Sequence, residues 1–368
     1  MVVTNPPYMG SSGMGATLSK YVKDNYPDSK SDLFAVFIEK CSVLAKDYGY
    51  MAMITQHAWM FLSSYEKLRI KLRQRDTINM AHLGVRAFAE IGGEVVQSTA
   101  FVMWNCHISD YKGSYVRLVD IGDADSKESE FLSGNHRYAA STDNFAKILG
   151  SPVAYWANNS LFKCFINFMN IGDYFHVRNG ITTGDNSLFL RLWYEISPNA
   201  EKWYALNKGG AFRKWSGNRD YVIDWKNNGH RIKNFTDSNG RLRSTLRGID
   251  FNFTAGITMS RVTSGEASFR KMYGDSISES ATNALYPMNK SETNISYAMG
   301  MLNSKPIAFM LNLMNPTLNI VPEDIRGLPI SLQHSELVIE IVDTNIVMSR
   351  SDWDSFETSW DFRRHPLV

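Results

Sequence analysis

The chain has 368 residues, with 39 lysines and arginines against 37 aspartates and glutamates, so its formal net charge is +2. A content of 44% hydrophobic and 12% aromatic residues excludes a disordered polymer and indicates a folded protein of two or three domains. The apolar stretches 33–45 and 295–313 are broken by charges or proline, which argues against a membrane-spanning helix of about 20 residues.

The cysteines and histidines point away from disulfides and metals. Cys41, Cys106 and Cys164 form no Cys-x-x-Cys pair, and the histidines form no His-x-x-x-His pair. The sequence therefore predicts no metal site and no disulfide framework, which fits a reducing cytoplasm. Residues 1–10 have none of the features of a secretion signal.

The first hundred residues predict alternating β and α elements. A strand ends at Thr4, because the two prolines that follow cannot continue its pairing. The order of the later elements favours one half of a doubly wound α/β sheet. These elements are a helix over 31–46 with Ser31 as N-cap, a buried parallel strand over 50–56, a helix over 63–74, a strand over 77–83, and a strand over 95–104 that follows a Gly92-Gly93 turn as an antiparallel hairpin.

The rest of the chain differs from the first hundred residues in composition and in its predicted elements. Residues 120–144 are polar and predict a connecting stretch before a second domain. From about Ser151, short β-like runs such as 221–225 alternate with glycine turns, and helices return near 296–313 and over 336–349.

The near-zero net charge conceals an uneven distribution. Residues 201–271 contain fourteen basic and six acidic side chains, so this segment carries +8 and the rest of the chain −6. Aromatic residues are interleaved with these cations, as on surfaces that bind nucleic acid. The alternative interpretation is a solvated basic face on an ordinary domain.

The tetrapeptide Asn5-Pro6-Pro7-Tyr8 carries the most specific chemistry. The exocyclic amine of a base is a poor nucleophile, because its lone pair is delocalised into the ring. The Asn5 side-chain oxygen and the Pro6 carbonyl can each accept one N–H of that amine, which favours a tetrahedral, nucleophilic nitrogen. Tyr8 offers a flat surface on which a flipped base can stack. The alternative is a strand-ending turn, because Asn-Pro is a common turn opener.

Several longer segments carry a family resemblance. MVVTNPPYMGSSGMG, SDLFAVFIEKC, GYMAMITQHAWM and FAEIGGEVVQSTAFVMWN together resemble the adenine-specific DNA methyltransferases of BREX (PglX-like) phage-defence systems, which are similar to type IIG restriction-modification methyltransferases. NGITTGDNSLFL and LMNPTLNIVPEDIRGLPI resemble the target-recognition region of that family. The resemblance covers nearly the whole chain.

The resemblance implies a fold and a domain order. The fold class is α/β, with the carboxyl half of a Rossmann-like methyltransferase sheet joined to an α+β target-recognition domain. The implied domains are a partial catalytic domain over 1–150, a recognition domain over 151–335 and a helical carboxyl-terminal segment over 336–368.

The resemblance also implies roles for individual residues. Asn5, Pro6, Pro7 and Tyr8 would form the adenine-amine site, and Phe88 would hold the other face of the flipped base. An ordinary core phenylalanine is the alternative for Phe88. Two further residues, His57 and Trp59, are expected at the same cleft because they follow a predicted strand; for His57 a hydrogen-bonded structural histidine is the favoured alternative.

The family binds S-adenosylmethionine through a segment that lies well before this motif. Only four residues precede Asn5 here, so we expect an incomplete cofactor site whose residues are unknown, and a truncated or split chain that is inactive alone. The strand before Asn5 should then be an edge strand. Expected partners are double-stranded DNA and either an upstream methyltransferase half or other defence-system subunits.

The resemblance places DNA contacts in the basic segment and in the turn before it. Phosphate contacts are predicted at Lys208, Arg213 and Lys214, and base or backbone contacts at Asn207 and Arg219. Thr183 lies in the Gly180–Asn186 turn, where small residues let the backbone approach DNA. Charge reversal at Arg213 and Lys214 should weaken DNA binding and flatten its salt dependence.

The sequence thus predicts part of a site-specific enzyme that transfers a methyl group from S-adenosylmethionine to N6 of a flipped adenine, in phage defence or restriction-modification. The alternative is a non-catalytic DNA-specificity module that binds DNA or a partner subunit. A protein glutamine methyltransferase, which shares the Asn-Pro-Pro-Tyr motif, is disfavoured by the long basic region.

Overall fold

The computed structural model describes residues 1–88, 96–197, 201–263, 265–289, 292–331, 335–365 and 367. The chain divides into two compact units, and each is described by itself. Unit 1 consists of Met1–Asn167 with Leu313–Pro316, and unit 2 of Phe168–Asn312 with Thr317–Val368. Within the described ranges, no helix has both the length and the apolarity that a bilayer span requires.

Unit 1 is built on one mixed β-sheet with helices. Its strands are β1 (Val2–Thr4), β2 (Tyr50–Gln56), β3 (Asp76–Gly84), β4 (Ser98–Trp104), β5 (Lys112–Arg117) and β6 (Arg137–Ser141). Its α-helices are α1 (Ala16–Asn25), α2 (Leu33–Leu44), α3 (Glu66–Leu72), α4 (Ala124–Leu132), α5 (Thr142–Phe145) and α6 (Asn159–Asn167). Short 3-10 turns cover Ser11–Gly13, His57–Met60 and Ser63–Tyr65.

The strand order in this sheet is β1-β2-β4-β3-β5-β6, so β1 lies at an edge. β1 pairs with β2 and β3 pairs with β5 in parallel, whereas β4 runs antiparallel to both β2 and β3. The predicted α/β class and the antiparallel strand near residues 95–104 are confirmed. The predicted Gly92-Gly93 turn lies outside the described residues.

Alternation along the strands defines the core of unit 1. Met51 and Met53 of β2 are buried against α2, which supplies Phe34, Ile38 and Cys41 to the same cluster. Because side chains alternate across a strand, Ala52 and Ile54 point to the opposite face of the sheet, where they are half-buried.

The predicted early elements are confirmed, with one wrong cap. β2 has the predicted bounds, and α2, α3 and β3 lie within a few residues of theirs. The N-cap of α2 is Asp32 and not Ser31, because the Asp32 carboxylate accepts the Phe34 N–H at 3.3 Å.

The prediction that residues 120–144 are a connecting stretch before a second domain is wrong, because they lie within unit 1. This stretch forms α4, β6 and α5, and β6 pairs antiparallel with β5 in the sheet of unit 1. Asp123 caps α4 by accepting the Ser126 N–H at 2.8 Å. The polar composition reflects elements that keep most of their side chains in solvent, since Arg137, Tyr138 and Ala139 of β6 are all exposed.

Unit 1 also extends beyond the predicted boundary at residue 150. Val153 and Tyr155 are buried in its hydrophobic core, and the compact unit continues to Asn167. The apolar side chains just after Ser151 therefore belong with the first sheet. The functional roles assigned to the domains stay predictions.

From Phe168 onward the chain is rich in short strands. These are β7 (Met169–Asn170), β8 (Phe175–Asn179), β9 (Leu190–Leu192), β10 (Trp203–Asn207), β11 (Tyr221–Asp224), β12 (Gly256–Ser260), β13 (Phe269–Met272), β14 (Ser276–Ser278), β15 (Thr282–Pro287) and β16 (Pro329–Ile330). The sheets have the orders β14-β10-β11-β9, β13-β12-β15-β8 and β16-β7. The helices are α7 (Asn186–Phe189), α8 (Lys226–Lys233), α9 (Glu292–Leu302), α10 (Lys305–Met314), α11 (Pro322–Arg326) and α12 (Glu336–Trp353), with 3-10 turns at Ile171–Asp173, Trp193–Glu195 and Ile249–Phe251.

The helix predicted near 296–313 is two helices, α9 and α10. The break falls at Asn303, whose side chain exchanges two hydrogen bonds of 2.9 Å with the backbone of Phe269 in β13. Pro306 then occupies the first turn of α10, where its missing N–H costs nothing. The predicted carboxyl-terminal helix is confirmed as α12.

Candidate functional site

The Asn5-Pro6-Pro7-Tyr8 segment follows β1 directly, at the edge of the sheet where its parallel strands end. Ser98, the first residue of antiparallel β4, pairs with the last residues of β2 and β3 at this same edge. Ligands of open α/β sheets bind at the carboxyl ends of the strands. Asn5 is exposed here and Pro6 is buried, so the side chain of Asn5 is open to a ligand on an anchored backbone.

Tyr8 is held as a partly exposed ring against the core of unit 1. Its ring meets Phe34 edge-on, with centroids 6.0 Å apart, and Phe34 in turn contacts Tyr65. Burial raises the pKa of the Tyr8 phenol, so it stays neutral at physiological pH. A neutral, braced aromatic ring is suited to stacking on a flat ligand.

Asp32 ties this segment to the start of α2. Its Oδ1 accepts the Met9 N–H at 3.0 Å as well as the Phe34 N–H, and the Leu33 N–H donates to the Met9 carbonyl at 3.0 Å. One carboxylate therefore fixes both the helix and the residue after Tyr8. The sequence did not reveal this role, because Ser31 and Asp32 are both ordinary N-cap residues.

Replacing Asp32 with alanine should destabilise unit 1 by about 1–2 kcal/mol, because two backbone N–H groups lose their acceptor. The amide of Met9 should exchange with solvent faster than in the wild type. The measurements are urea unfolding and hydrogen exchange. Asp32→Asn, which keeps Oδ1, is the matched control and should retain most of the stability; equal losses in both variants would contradict an acceptor role.

His57 and Trp59, expected at the cleft, are buried. His57 Nδ1 lies 2.8 Å from His82 Nε2, and His82 Nδ1 lies 3.0 Å from the Tyr155 hydroxyl. Trp59 is 1% exposed and donates its indole N–H to Thr55 Oγ1 at 3.2 Å. The structure thus has the hydrogen-bonded structural histidine that was the alternative interpretation of His57. His82 and Tyr155 carry no sequence signal that links them to it.

The buried row of His57, His82 and Tyr155 predicts that acid lowers the free energy of unfolding of unit 1. Burial lowers the pKa of His57 to about 4, whereas an unfolded histidine titrates near 6.5. Between these values the unfolded state binds a proton that the folded state excludes. The free energy of unfolding should therefore fall by about 2–3 kcal/mol as the pH drops from about 6.5 to about 4.

The pH effect is measured by urea unfolding at a series of pH values for the wild type and His57→Gln. The glutamine variant lacks the titrating ring, so its stability should depend less steeply on pH across this window. Parallel pH profiles for the two proteins would contradict the prediction, whatever their absolute stabilities.

Phe88 lies four residues after β3, whose last residue, Gly84, pairs with Ser98 at the edge of the sheet described above. Its side chain is 38% exposed, so the structure does not bury it as a core phenylalanine. Residues 89–95, which follow it, are outside the described part of the chain. Its role against the second face of a base stays a prediction.

A groove of about 670 Å³ lies beside Asn5 on the sheet of unit 1. Its small aliphatic floor belongs to the face that points away from α2. The polar side chains around it are those of Thr4, Asn5, Asn79, Ser114 and Arg137. The floor consists of Ala52, Ile54, Ala81, Ala100, Val102 and Val116.

The predicted DNA-contact residues lie in unit 2 but differ in exposure. Thr183 and Asn207 are buried, and they hydrogen-bond to Asn186 at 2.7 Å and to Ser276 at 2.7 Å. Lys208 lies over the ring of Tyr221, at 5.2 Å. For direct contact with DNA the two buried side chains would first have to become exposed.

The three other predicted cations are paired with acids of unit 2. Arg213 lies 2.6 Å from Asp352, Lys214 lies 3.3 Å from Glu266, and Arg219 lies 2.7 Å from Asp275. The opposite charges of each ion pair largely cancel. Their DNA contacts stay predictions, and the structure does not bring the predicted residues together on one exposed basic surface.

Comparisons with known proteins bear on this site. Residues 1–86 match the family model described as Eco57I restriction-modification methylase. The chain is 41% identical over 387 residues to the adenine-specific methyltransferase PglX of Lacticaseibacillus casei (strain Zhang), covering 100% of this chain and 32% of that protein. It is 37% identical over 377 residues to the adenine-specific methyltransferase BrxX of Escherichia coli O9:H4 (strain HS), covering 100% and 30%.

The chain is a homologue of PglX and BrxX. This confirms the family resemblance predicted from the sequence. The chain spans about a third of the length of these relatives. Among solved structures, the fold is similar to that of the type IIL restriction-modification enzyme MmeI, which was solved in complex with DNA, with a TM-score of 0.56 and 11% identity over 98% of this chain and 50% of that one.

Proposed function

We propose that this chain is the substrate-binding part of a site-specific DNA adenine-N6 methyltransferase of a phage-defence or restriction-modification system. The observation that carries the proposal is the exposed Asn5 followed by the buried Pro6 and the braced Tyr8, at the carboxyl edge of an α/β sheet. Homology to PglX and BrxX over the full chain supports it. Such a protein works in the cytoplasm, where the DNA is.

The chemistry follows from the three positions. An adenine flipped out of the duplex stacks on the Tyr8 ring, which offsets part of the stacking it has lost. The Asn5 side-chain oxygen and the Pro6 carbonyl accept the two N–H bonds of its N6 amine. These acceptors favour a pyramidal nitrogen whose lone pair is no longer shared with the ring, so the amine becomes nucleophilic.

The methyl donor that this function requires is S-adenosylmethionine. The described groove beside Asn5 does not fit it, because the ribose hydroxyls of a nucleoside ligand are held by a carboxylate in folds of this kind, and neither Asp nor Glu lines the groove. The proposal therefore assigns adenine binding to this chain and leaves donor binding to a partner segment.

Unit 2 is proposed as the DNA-recognition part. The basic surplus of residues 201–271 supports this role, since cations that contact phosphates supply most of the affinity for duplex DNA. In this proposal unit 1 corresponds to the partial catalytic domain, and α12 begins the helical carboxyl-terminal segment.

The test is a chimaera in which this chain replaces the matching third of L. casei PglX, expressed in that host in place of the native protein. Mass spectrometry of cell DNA measures N6-methyladenine, and anisotropy with purified protein measures duplex binding. Methylation that depends on the inserted chain supports the proposal. DNA binding without methylation would instead favour a non-catalytic specificity module, and absence of both would overturn the proposed function.

A further inference from the structure

Residues 236–247 of unit 2 form a tight, structured loop, which we call the arginine loop. The Asp237 carboxylate accepts the N–H groups of Asn239 and Arg241, both at 2.9 Å, and Gly240 adopts the left-handed conformation with φ of 76°. The Asp237 N–H donates to the Arg241 carbonyl at 2.9 Å. The loop is therefore a hydrogen-bonded turn with a defined tip.

The base of the arginine loop is fixed to the turn formed by residues 180–186. Thr182 and Thr245 exchange two backbone hydrogen bonds of 2.8 and 2.9 Å. Gly184, with φ of 82°, approaches the backbone of Arg243 so closely that a Cβ would lie 2.8 Å from it. The turn that resembles the start of the family's recognition region thus holds the loop in place.

The arginine loop presents three cations to solvent. Arg241, Arg243 and Arg247 are all exposed, and Arg243 stacks over the ring of Phe235 at 4.9 Å. In the part of the chain that the structure describes, none of the three forms an ion pair within 4.0 Å. The Asp185 carboxylate in the adjoining turn interacts electrostatically with Arg243 but forms no such pair with it. A phosphate can therefore bind the three arginines without breaking an ion pair.

The predicted contacts Arg213, Lys214 and Arg219 differ in this respect. Each already has a carboxylate partner, at 2.6, 3.3 and 2.7 Å respectively. Binding a phosphate there would either break an ion pair or bring an anion next to an aspartate or glutamate. Electrostatics therefore favours the arginine loop as the stronger site for a polyanion.

We propose that the arginine loop is the main phosphate-contacting element of unit 2, and that Arg241, Arg243 and Arg247 bind the backbone of duplex DNA. This inference rests on the proposed function and names the surface through which unit 2 would contact DNA. The hydrogen-bonded base keeps the backbone of the loop in place before binding, so little backbone order has to be created when DNA arrives.

The experiment compares two triple variants with equal loss of charge in the full chain. One is Arg241→Ala/Arg243→Ala/Arg247→Ala, and the matched control is Arg213→Ala/Lys214→Ala/Arg219→Ala. Affinity for a fluorescent 30-base-pair duplex is measured by anisotropy between about 50 and 200 mM salt, a range in which phosphate contacts have a large effect. Thermal melting checks that both variants remain folded.

Each phosphate contact adds about 0.9 to the slope of log affinity against log salt. The loop variant should therefore lose about 2–3 units of slope, whereas the paired variant should lose less. Lysine at the same three loop positions should restore the slope, because it keeps the charge. This rescue separates lost phosphate contacts from a damaged loop.

The possible outcomes test the phosphate-contacting role of the arginine loop separately from the proposed function. If the wild type binds DNA and the paired variant loses as much slope as the loop variant, or more, the inference is overturned and the proposed function stands. A failure of lysine to restore the slope also overturns it. If the wild-type chain does not bind duplex DNA at all, both the inference and the recognition role of unit 2 are overturned.

Discussion

Alanine at position 5 should lower adenine methylation by the PglX chimaera by about 10²- to 10³-fold, the usual effect of removing one group that stabilises charge in the transition state. The physical reason is that the N6 amine loses one of its two acceptors and stays conjugated with the ring. Asn5 is exposed and lies outside the β1 pairing, so stability and DNA affinity should be unchanged. The measurement is initial methylation rate with parallel anisotropy.

The matched control for this substitution is Asn79→Ala. Asn79 is also an exposed asparagine on the same groove, but it lies within β3 and is not part of the Asn-Pro-Pro-Tyr segment. Its replacement should leave methylation unchanged. Asn5→Asp keeps an acceptor oxygen and should retain part of the activity. Full activity of Asn5→Ala, or an equal loss in Asn79→Ala, would contradict the assigned role of Asn5.

Arg69→Leu should destabilise unit 1 by about 3 kcal/mol or more, because it leaves buried carbonyl groups without donors. Arg69 is 3% exposed, and its guanidinium donates to the carbonyls of Trp59, Leu62 and Gly150 at 2.6–2.9 Å. It thereby joins the turn after β2 to the loop before Val153. Urea unfolding followed by tryptophan fluorescence measures the loss.

The matched control for Arg69 is Arg73→Leu, one turn further along at the end of the same helix, where the arginine is exposed. This change should alter the free energy of unfolding by no more than about 0.5 kcal/mol. Arg69→Lys keeps the charge but cannot reach three carbonyls, so it should give an intermediate loss. Similar losses of stability for Arg69→Leu and Arg73→Leu would contradict the stabilising role of the hydrogen bonds that Arg69 donates.

Strands and helices with a strong local pattern of apolar residues were predictable from the sequence. The mostly apolar run over residues 50–56 became β2 with the same bounds, because a short apolar run after Gly49 is typical of a buried strand. The apolar spacing in 31–46 likewise predicted α2. The stretch 120–144 was misread because its strand β6 is mostly exposed and has no apolar alternation to detect.

Contacts between distant residues were beyond the sequence. His57 meets His82 and Tyr155 only because β2, β3 and the segment after Pro152 converge in the fold. The choice of Asp32 over Ser31 as the cap depends on Met9, which folds back beside it. Neither arrangement produces a periodicity or a residue spacing that could be recognised in the sequence.

The sequence by itself indicated the chemistry that we propose for this protein. The amine-binding role proposed for Asn5, Pro6 and Tyr8 follows from their side chains and one fixed backbone angle, and the +8 of residues 201–271 is a property of composition. Only the tertiary structure decided which charges are available, because ion pairing depends on distances between residues far apart in the chain. Arg213 is neutralised by Asp352, 139 positions away, whereas Arg241, Arg243 and Arg247 face solvent.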